Sequence, residues 1–280
     1  VVFGDGESST VGSCAFQNCF ALESITFSNS VTKIETYAFS YCTALQSIEI
    51  PASVTYIGSN AFEYSYSLES VAIYGVLSSF GSQTFRDCRT LKNVSLVSGL
   101  TSLGNAVFVN CYSLKKIVLP NSIKKLDSYA FDGCSMLQNI ALPNTLTGIS
   151  TYAFQNCPAL QYIALPKSVL TINDYAFLNC YALKNAVLPQ TIQTLGVSAF
   201  SGCTVMEYIV IPPSIASMAT QCYVSCMCLK NVVIPESLFT MPGILRACYM
   251  YSAKLKEIYE TALETCATLR GNSFNQCLYF

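Results

Sequence analysis

An aromatic residue returns every 23 positions along most of this chain, and this spacing constrains the fold more than any other feature. Nine consecutive steps without an insertion connect Phe16, Phe39, Phe62, Phe85, Phe108, Phe131, Phe154, Phe177, Phe200 and Tyr223. A Cys stands three positions after each aromatic residue, with Ser65 as the exception, and a Leu stands three positions further on, with Met206 as the exception. A period of this length predicts stacked repeats rather than one globular domain.

Each unit contains two short apolar segments that are separated by a turn. In one unit, the alternation of residues 137–142 predicts a strand, and Pro143 ends its pairing. Leu146 and Ile149 then return the chain to the interior. Ser, Thr, Asn or Asp residues come just before the Ala-Phe-x-x-Cys motif. We interpret these polar residues, including Asp127 and Asp174, as N-caps of a single helical or 3₁₀ turn.

A single unit of this kind buries too few apolar side chains to offset the entropy of ordering its backbone. Stacking solves this problem, because strands of successive units can pair in parallel at about 4.8 Å while their apolar positions merge into one core. We therefore predict a right-handed solenoid of about twelve units. Residues 1–242 are its regular part, and 243–280, where the spacing breaks, are irregular C-terminal repeats or a cap.

Composition excludes several classes of partner. Apolar residues make up 52% of the chain and charged residues 11%, with 15 Lys and Arg against 16 Asp and Glu. This balance gives no basic surface for nucleic acid or an anionic membrane. No apolar run approaches the roughly 18 residues that a membrane-spanning helix needs. The first residue is Val1 and no signal peptide is visible, so the chain is expected to be a processed or excised piece.

The consensus AFxxCxxLxxIxLPxSVTxIGxx resembles the BspA-like class of leucine-rich repeats. Residues 38–60 and 130–151 carry it most completely, and the resemblance covers about residues 11–242. It implies a leucine-rich-repeat horseshoe or superhelix with a parallel β-sheet on the concave face and short turns, 3₁₀ or helical, on the convex side. The family is often found on microbial and protist surfaces and is associated with adhesion. An extracellular or cell-surface location is therefore expected, with an intracellular scaffold as the alternative.

The residues of catalytic chemistry are largely missing. Histidine is absent, which removes Ser-His-Asp and Cys-His catalysis, and no phosphate-binding glycine motif occurs. We therefore expect no enzyme activity and no cofactor. The repeated cysteines would lie one strand spacing apart, which favours buried free thiols over disulfides, with occasional pairing or metal binding as the alternative. Cys222, Cys226 and Cys228 match no zinc spacing, so no metal site is predicted.

Positions on either side of the buried strand Ile point away from the core and are the candidate binding residues. From Val118 onward, the position after the Ile is wholly apolar, although it should face the open concave side. This stripe predicts a binding surface for a protein or a glycan, or else it reflects only the β-propensity of Val. The tyrosines among them are typical of interface anchors and favour binding. The candidates are Lys116, Val118, Asn139, Ala141, Tyr162, Ala164, Val187, Tyr208, Val210 and Val233.

Two further groups have a structural and a functional interpretation. A lateral stripe of Tyr129, Tyr152 and Tyr175 precedes Ala-Phe in consecutive units. These rings could bind a glycan or partner through their faces, or they could simply cover the turn. Lys115, Lys116, Lys124 and Lys125 form a local basic cluster, most simply explained as solvated charge.

The ends of the repeat array suggest an alternative function. An uncapped solenoid end exposes strand edges and apolar core, which invites head-to-tail stacking into a filament. The sequence thus predicts a non-enzymatic binding module, and a filament subunit or a fragment of a longer array is the alternative.

Overall fold

The structure, a computed structural model, describes residues 2–3, 9–77, 80–96, 98–219 and 221–235. This part of the chain is a parallel β-solenoid of about ten turns without a helix. The predicted solenoid of stacked parallel strands is therefore confirmed. The expected irregular cap, 243–280, and most of both chain ends lie outside the described residues.

One line of parallel strands runs along the solenoid, with one strand in each unit. Its central part pairs as one continuous four-stranded sheet, and shorter sheets flank it. We call the outward-facing side of this line the strand face. Its strands are β1 (Val2–Phe3), β3 (Thr26–Phe27), β5 (Ser47–Ile50), β7 (Ser70–Ile73), β8 (Asn93–Ser95), β9 (Lys116–Val118), β10 (Asn139–Ala141), β12 (Tyr162–Ala164), β14 (Asn185–Val187), β16 (Tyr208–Val210) and β18 (Asn231–Val233).

A second line of two-residue strands follows the Pro turn of the units. It forms one three-stranded and one four-stranded sheet, and isolated bridges continue the same pairing between them. The second line consists of β2 (Thr10–Val11), β4 (Lys33–Ile34), β6 (Tyr56–Ile57), β11 (Gly148–Ile149), β13 (Thr171–Ile172), β15 (Thr194–Leu195) and β17 (Ser217–Met218). The second apolar segment is thus a short strand in seven units and an isolated bridge in the units between β6 and β11.

Register follows the sequence period. Ile140 of β10 pairs with Ile117 of β9 on one side and Ile163 of β12 on the other, each 23 residues away. Each of these three strands presents a buried middle residue between two exposed ones. A slip of one residue would move the apolar set to the solvent side, so the burial of the Ile position fixes the register.

Besides its two strand segments, each unit has a turn that contains the Ala-Phe-x-x-Cys motif. We call the surface formed by these turns the turn side. The expected short turns are present, and helical or 3₁₀ turns with N-caps do not occur among the described residues. The amides of a turn alternate between bonds inside the unit, such as Asp132 to the Tyr129 carbonyl at 3.2 Å, and bonds to the next unit. The amide of Phe131 donates to the Ala153 carbonyl of the next unit at 2.8 Å, and the amides two residues to either side make equivalent bonds. Neighbouring units therefore satisfy about every second amide of the turn, and i→i+3 bonds satisfy the others.

The acidic residues expected as caps serve the same inter-unit bonding. Asp127 accepts a hydrogen bond from the Gly104 amide of the preceding unit at 2.9 Å. Asp174 accepts one from the Val197 amide of the following unit at 2.7 Å. Both carboxylates thus tie two units together, and neither caps a helix.

Two positions in each turn adopt the left-handed backbone conformation, a feature that the sequence pattern did not reveal. None of these twenty residues is β-branched, because a branched side chain fits this conformation poorly. The first position holds Cys14, Tyr37, Asn60, Gln83, Ala106, Tyr129, Tyr152, Tyr175, Ser198 and Gln221, and the second holds Asn18, Tyr41, Tyr64, Asp87, Asn110, Gly133, Asn156, Asn179, Gly202 and Ser225.

The core is a continuous column of stacked aromatic rings. Ten rings, from Phe16 to Tyr223, stack on their neighbours with centroids 5.0 to 5.7 Å apart and nearly parallel planes. The rings from Phe39 to Phe200 are fully buried. Among the described residues, no helix is both long and apolar enough to span a membrane.

Candidate functional site

The candidate binding residues lie together on the strand face. Lys116, Asn139, Tyr162 and Tyr208 are exposed at the first position of their strands, and the third position holds an exposed Val or Ala. We call the third positions the apolar column, which consists of Val118, Ala141, Ala164, Val187, Val210 and Val233. Val118 is 74% exposed and Val187 is 64% exposed. The column is thus aliphatic surface without a covering element among the described residues.

The tyrosines of the strand face border a hollow of about 750 Å³. Tyr162 and Tyr208 lie two units apart, with Asn185 between them and Val187 beside them. The Asn185 Oδ1 atom is buried and has no hydrogen-bond partner. This hollow therefore combines aromatic surface, aliphatic surface and one unsatisfied acceptor, which is the mixture that orients ligands in binding sites.

A second hollow, of about 600 Å³, lies at the beginning of β8, β9 and β10. Lysines line it together with amide, hydroxyl and thioether side chains. We call it the lysine hollow, and its lining is Lys92, Asn93, Ser113, Lys115, Lys116, Met136, Gln138 and Asn139. Two residues of the basic cluster therefore border a hollow on the strand face. The other two, Lys124 and Lys125, lie near the second line of strands, where Lys125 pairs with Asp127 at 3.5 Å.

The lateral tyrosine stripe is stacked against itself. The rings of Tyr129 and Tyr152 are 4.7 Å apart, and those of Tyr152 and Tyr175 are 4.8 Å apart with planes within 4° of parallel. The inner ring faces are therefore covered by neighbouring rings, and a ligand could reach only edges and end faces. This geometry favours the structural interpretation of the stripe over face-on binding.

The repeated cysteines are buried thiols with a bonding role that the sequence did not suggest. From Cys42 onward, each thiol of the repeated column donates to the carbonyl of the Phe 26 residues earlier, as Cys134 does to Phe108 at 3.2 Å. Ser65, the one exception to Cys, makes the same bond to Phe39 at 3.2 Å. From Cys42 to Cys226 the position thus always holds a small hydrogen-bond donor.

Burial also determines the reactivity of these thiols. Desolvation raises the pKa of the Cys180 thiol to about 12, and hydrogen bonding to the backbone offsets this effect only in part. The thiolate is the nucleophilic and metal-binding form of Cys, so these buried thiols are poor nucleophiles and poor metal ligands. Among the described residues, no cluster of His, Cys, Asp or Glu could hold a metal ion.

One charged cluster was missed at the sequence level. Asp87 is buried at a left-handed turn position, where Arg89 donates to it at 3.1 and 3.2 Å and Asn110 donates at 3.2 Å. The Arg89 guanidinium also lies between the rings of Tyr66 and Tyr112, 4.7 and 5.9 Å from their centroids. These contacts join three consecutive units. The only sequence signal was an Asp at a position that is Asn in several other units.

The architecture and the strand face define a leucine-rich-repeat protein, and comparison with known proteins specifies the family. The sequence profile of the BspA type leucine rich repeat region matches residues 9–138 and 134–256. The chain therefore belongs to the BspA-type leucine-rich-repeat family. A comparison with curated protein sequences found no match.

The chain is similar to solved structures of leucine-rich-repeat proteins. A leucine rich repeat protein from T. pallidum is 31% identical with a TM-score of 0.53, and the alignment covers 55% of this chain and 72% of that one. A leucine rich cell surface protein from Faecalibacterium prausnitzii is 26% identical with a TM-score of 0.37 and coverages of 74% and 78%. A leucine-rich repeat protein from Bacteroides ovatus is 24% identical with a TM-score of 0.46 and coverages of 81% and 76%.

Proposed function

We propose that this protein is a non-enzymatic recognition module whose strand face binds an extended polypeptide or glycan at a cell surface. The observation that carries the proposal is the exposed apolar column, which is aliphatic in six consecutive units. Exposed apolar surface of this extent is unfavourable in water and usually marks an interaction site. A partner that covers the column would gain the free energy of removing it from water.

The tyrosine-bordered hollow is a second reason to propose the strand face as the binding site. Its tyrosines combine a large apolar ring with a hydroxyl group, which is why Tyr is frequent at the centre of interfaces. The column and the hollow share Val187, so one ligand can contact both. Self-assembly into a filament stays a prediction, because most of both ends lies outside the described residues.

The experiment compares peptide binding to the wild type and to a variant of the column. Random peptides of about twelve residues displayed on phage are selected against the wild type, and individual binders are then measured by fluorescence anisotropy. Val187→Glu combined with Val210→Glu places two charges in the apolar contact, so we expect at least about a tenfold loss of affinity.

The control is Val76→Glu, because Val76 is 63% exposed, nearly as much as Val187, but lies outside the strand face. This variant should bind the selected peptides as the wild type does. Circular dichroism verifies that all variants keep their β structure. If the folded double variant binds the peptides with unchanged affinity, the strand face is not the recognition surface.

A further inference from the structure

The lysine hollow carries positive charge that the protein neutralises only in part. The Lys92 amine pairs with the Glu69 carboxylate at 2.9 Å. Among the described residues, no carboxylate forms an ion pair with Lys115 or Lys116. No carboxylate lines the hollow either, and most of its other polar side chains are amides or a hydroxyl that can donate hydrogen bonds.

The repeat geometry brings these charges together. Lys92 and Lys115 occupy the same position in successive units, so their backbones lie about one strand spacing, roughly 4.8 Å, apart. Lys116 adds a third amine from the first position of β9. Positive charges carried on neighbouring backbones repel one another, and a bound anion would reduce that repulsion.

The lysine hollow is continuous with the apolar column. Lys116 and Val118 are alternate residues of β9, so both side chains point outward from the same strand. Asn139 lines the hollow, and Ala141, two residues later in β10, continues the column. The apolar column begins at Val118, beside Lys116. A ligand that lies along the apolar column therefore reaches the lysine hollow at the Val118 end of the column.

We propose that the partner bound by the strand face is an acidic polypeptide segment, which places apolar side chains on the apolar column and a carboxylate in the lysine hollow. This inference rests on the proposed function. A polypeptide matches both parts of the surface, because it can carry acidic side chains at one end and aliphatic side chains at alternate positions of the rest. A sugar chain matches less well, since the Val and Ala side chains offer its hydroxyl groups no hydrogen bonds.

A defined peptide tests the proposal on the intact protein. The probe is a fluorescein-labelled peptide of about ten residues with two Glu residues at one end and Val alternating with Ser in the rest, which reaches up to about 33 Å when extended and so spans several units. We expect saturable binding that weakens as salt is raised, because ion pairs at a partly exposed site are screened. Absence of binding to the wild type would overturn the proposal.

A matched pair of variants locates the carboxylate site. Lys115→Gln with Lys116→Gln should weaken peptide binding about tenfold and reduce its salt dependence. Lys124→Gln with Lys125→Gln removes the same charge from the same unit at a different edge, and it should leave the affinity within about twofold of the wild type. Equal losses in the two variants would mean that only net charge matters, which contradicts the proposal.

Two further outcomes separate this inference from the function on which it rests. If Val187→Glu with Val210→Glu abolishes peptide binding while Lys115→Gln with Lys116→Gln has no effect, the strand face binds peptides but the carboxylate site is refuted. A heparin-derived sulfated hexasaccharide is the competing probe. If it binds through Lys115 and Lys116 while the peptide does not bind, the partner is an anionic glycan and the acidic polypeptide is excluded.

Discussion

Stripes of aromatic or aliphatic side chains run along both the turn side and the strand face, but those of the turn side are packed against themselves. Tyr152 stacks between Tyr129 and Tyr175. Val118 and Val187, with the same period of 23 residues, leave most of their surface in water. Aromatic rings one unit apart can meet face to face, whereas the short Val and Ala side chains of a strand cannot cover one another. Equal periodicity therefore produces internal packing in one stripe and an open contact surface in the other.

The largest expected difference between the two sides is in stability. Phe131→Ala removes one ring from the middle of the buried stack on the turn side, so we expect a loss of about 3 to 5 kcal/mol in the free energy of unfolding. Val118→Ala on the strand face should change it by no more than about 0.5 kcal/mol. Urea denaturation followed by circular dichroism measures both. A comparable loss for Val118→Ala would mean that the apolar column is part of the packing.

A smaller effect is expected within the tyrosine stripe. Tyr152→Val removes the stacking and puts a β-branched residue at a φ of 59°, so we expect a loss of about 2 kcal/mol. Tyr152→Asn loses the stacking but suits the left-handed backbone, and it should cost only about 1 kcal/mol.

The same urea denaturation distinguishes backbone strain from ring stacking. Equal losses for Tyr152→Val and Tyr152→Asn would show that the left-handed conformation has no influence. Peptide binding is measured on the same variants by fluorescence anisotropy. If Tyr152→Asn abolished peptide binding without a change in stability, the tyrosine stripe would be a contact surface like the strand face.

The smallest effect concerns pH. Burial raises the pKa of the Asp132 carboxyl from 3.8 to about 6, while the hydrogen bond from Asn156 lowers it in part. The folded state therefore favours the protonated form, and this carboxyl contributes stability that is present below about pH 4 and lost as the pH rises through about 6. Asp132→Asn mimics the neutral form. It should be more stable than the wild type by about 1 kcal/mol near pH 8, after allowance for partial solvent screening.

Urea denaturation at both pH values measures this difference. The advantage of Asp132→Asn should vanish near pH 4, where the wild-type carboxyl is also largely neutral. An equal advantage at both pH values would indicate a packing effect rather than a titration.

Much of the fold could be predicted because each core position recurs many times. The Phe, Cys and Leu positions are nearly invariant from unit to unit, the Ile position is always apolar, and one register satisfies all of them. The turn side was predicted less well. Its Asp residues look like helix caps in a single unit, since the amides that donate hydrogen bonds to them lie 23 residues away. The outward orientation of the apolar column was predictable from strand alternation, but the hollows beside it were not.

The sequence by itself determined that this chain stacks 23-residue units around one core, because the period, the alternation and the breaks at Pro are local properties of each unit. The tertiary structure decided how neighbouring units complete one another. In the stacked units the cysteine thiols donate hydrogen bonds to backbone carbonyls of the preceding unit. The rings of the tyrosine stripe stack on one another, and lysines of adjacent units line a common hollow. These features depend on contacts about 4.8 Å apart in space between residues 23 or more positions apart in sequence, and only the stacked units bring such residues together.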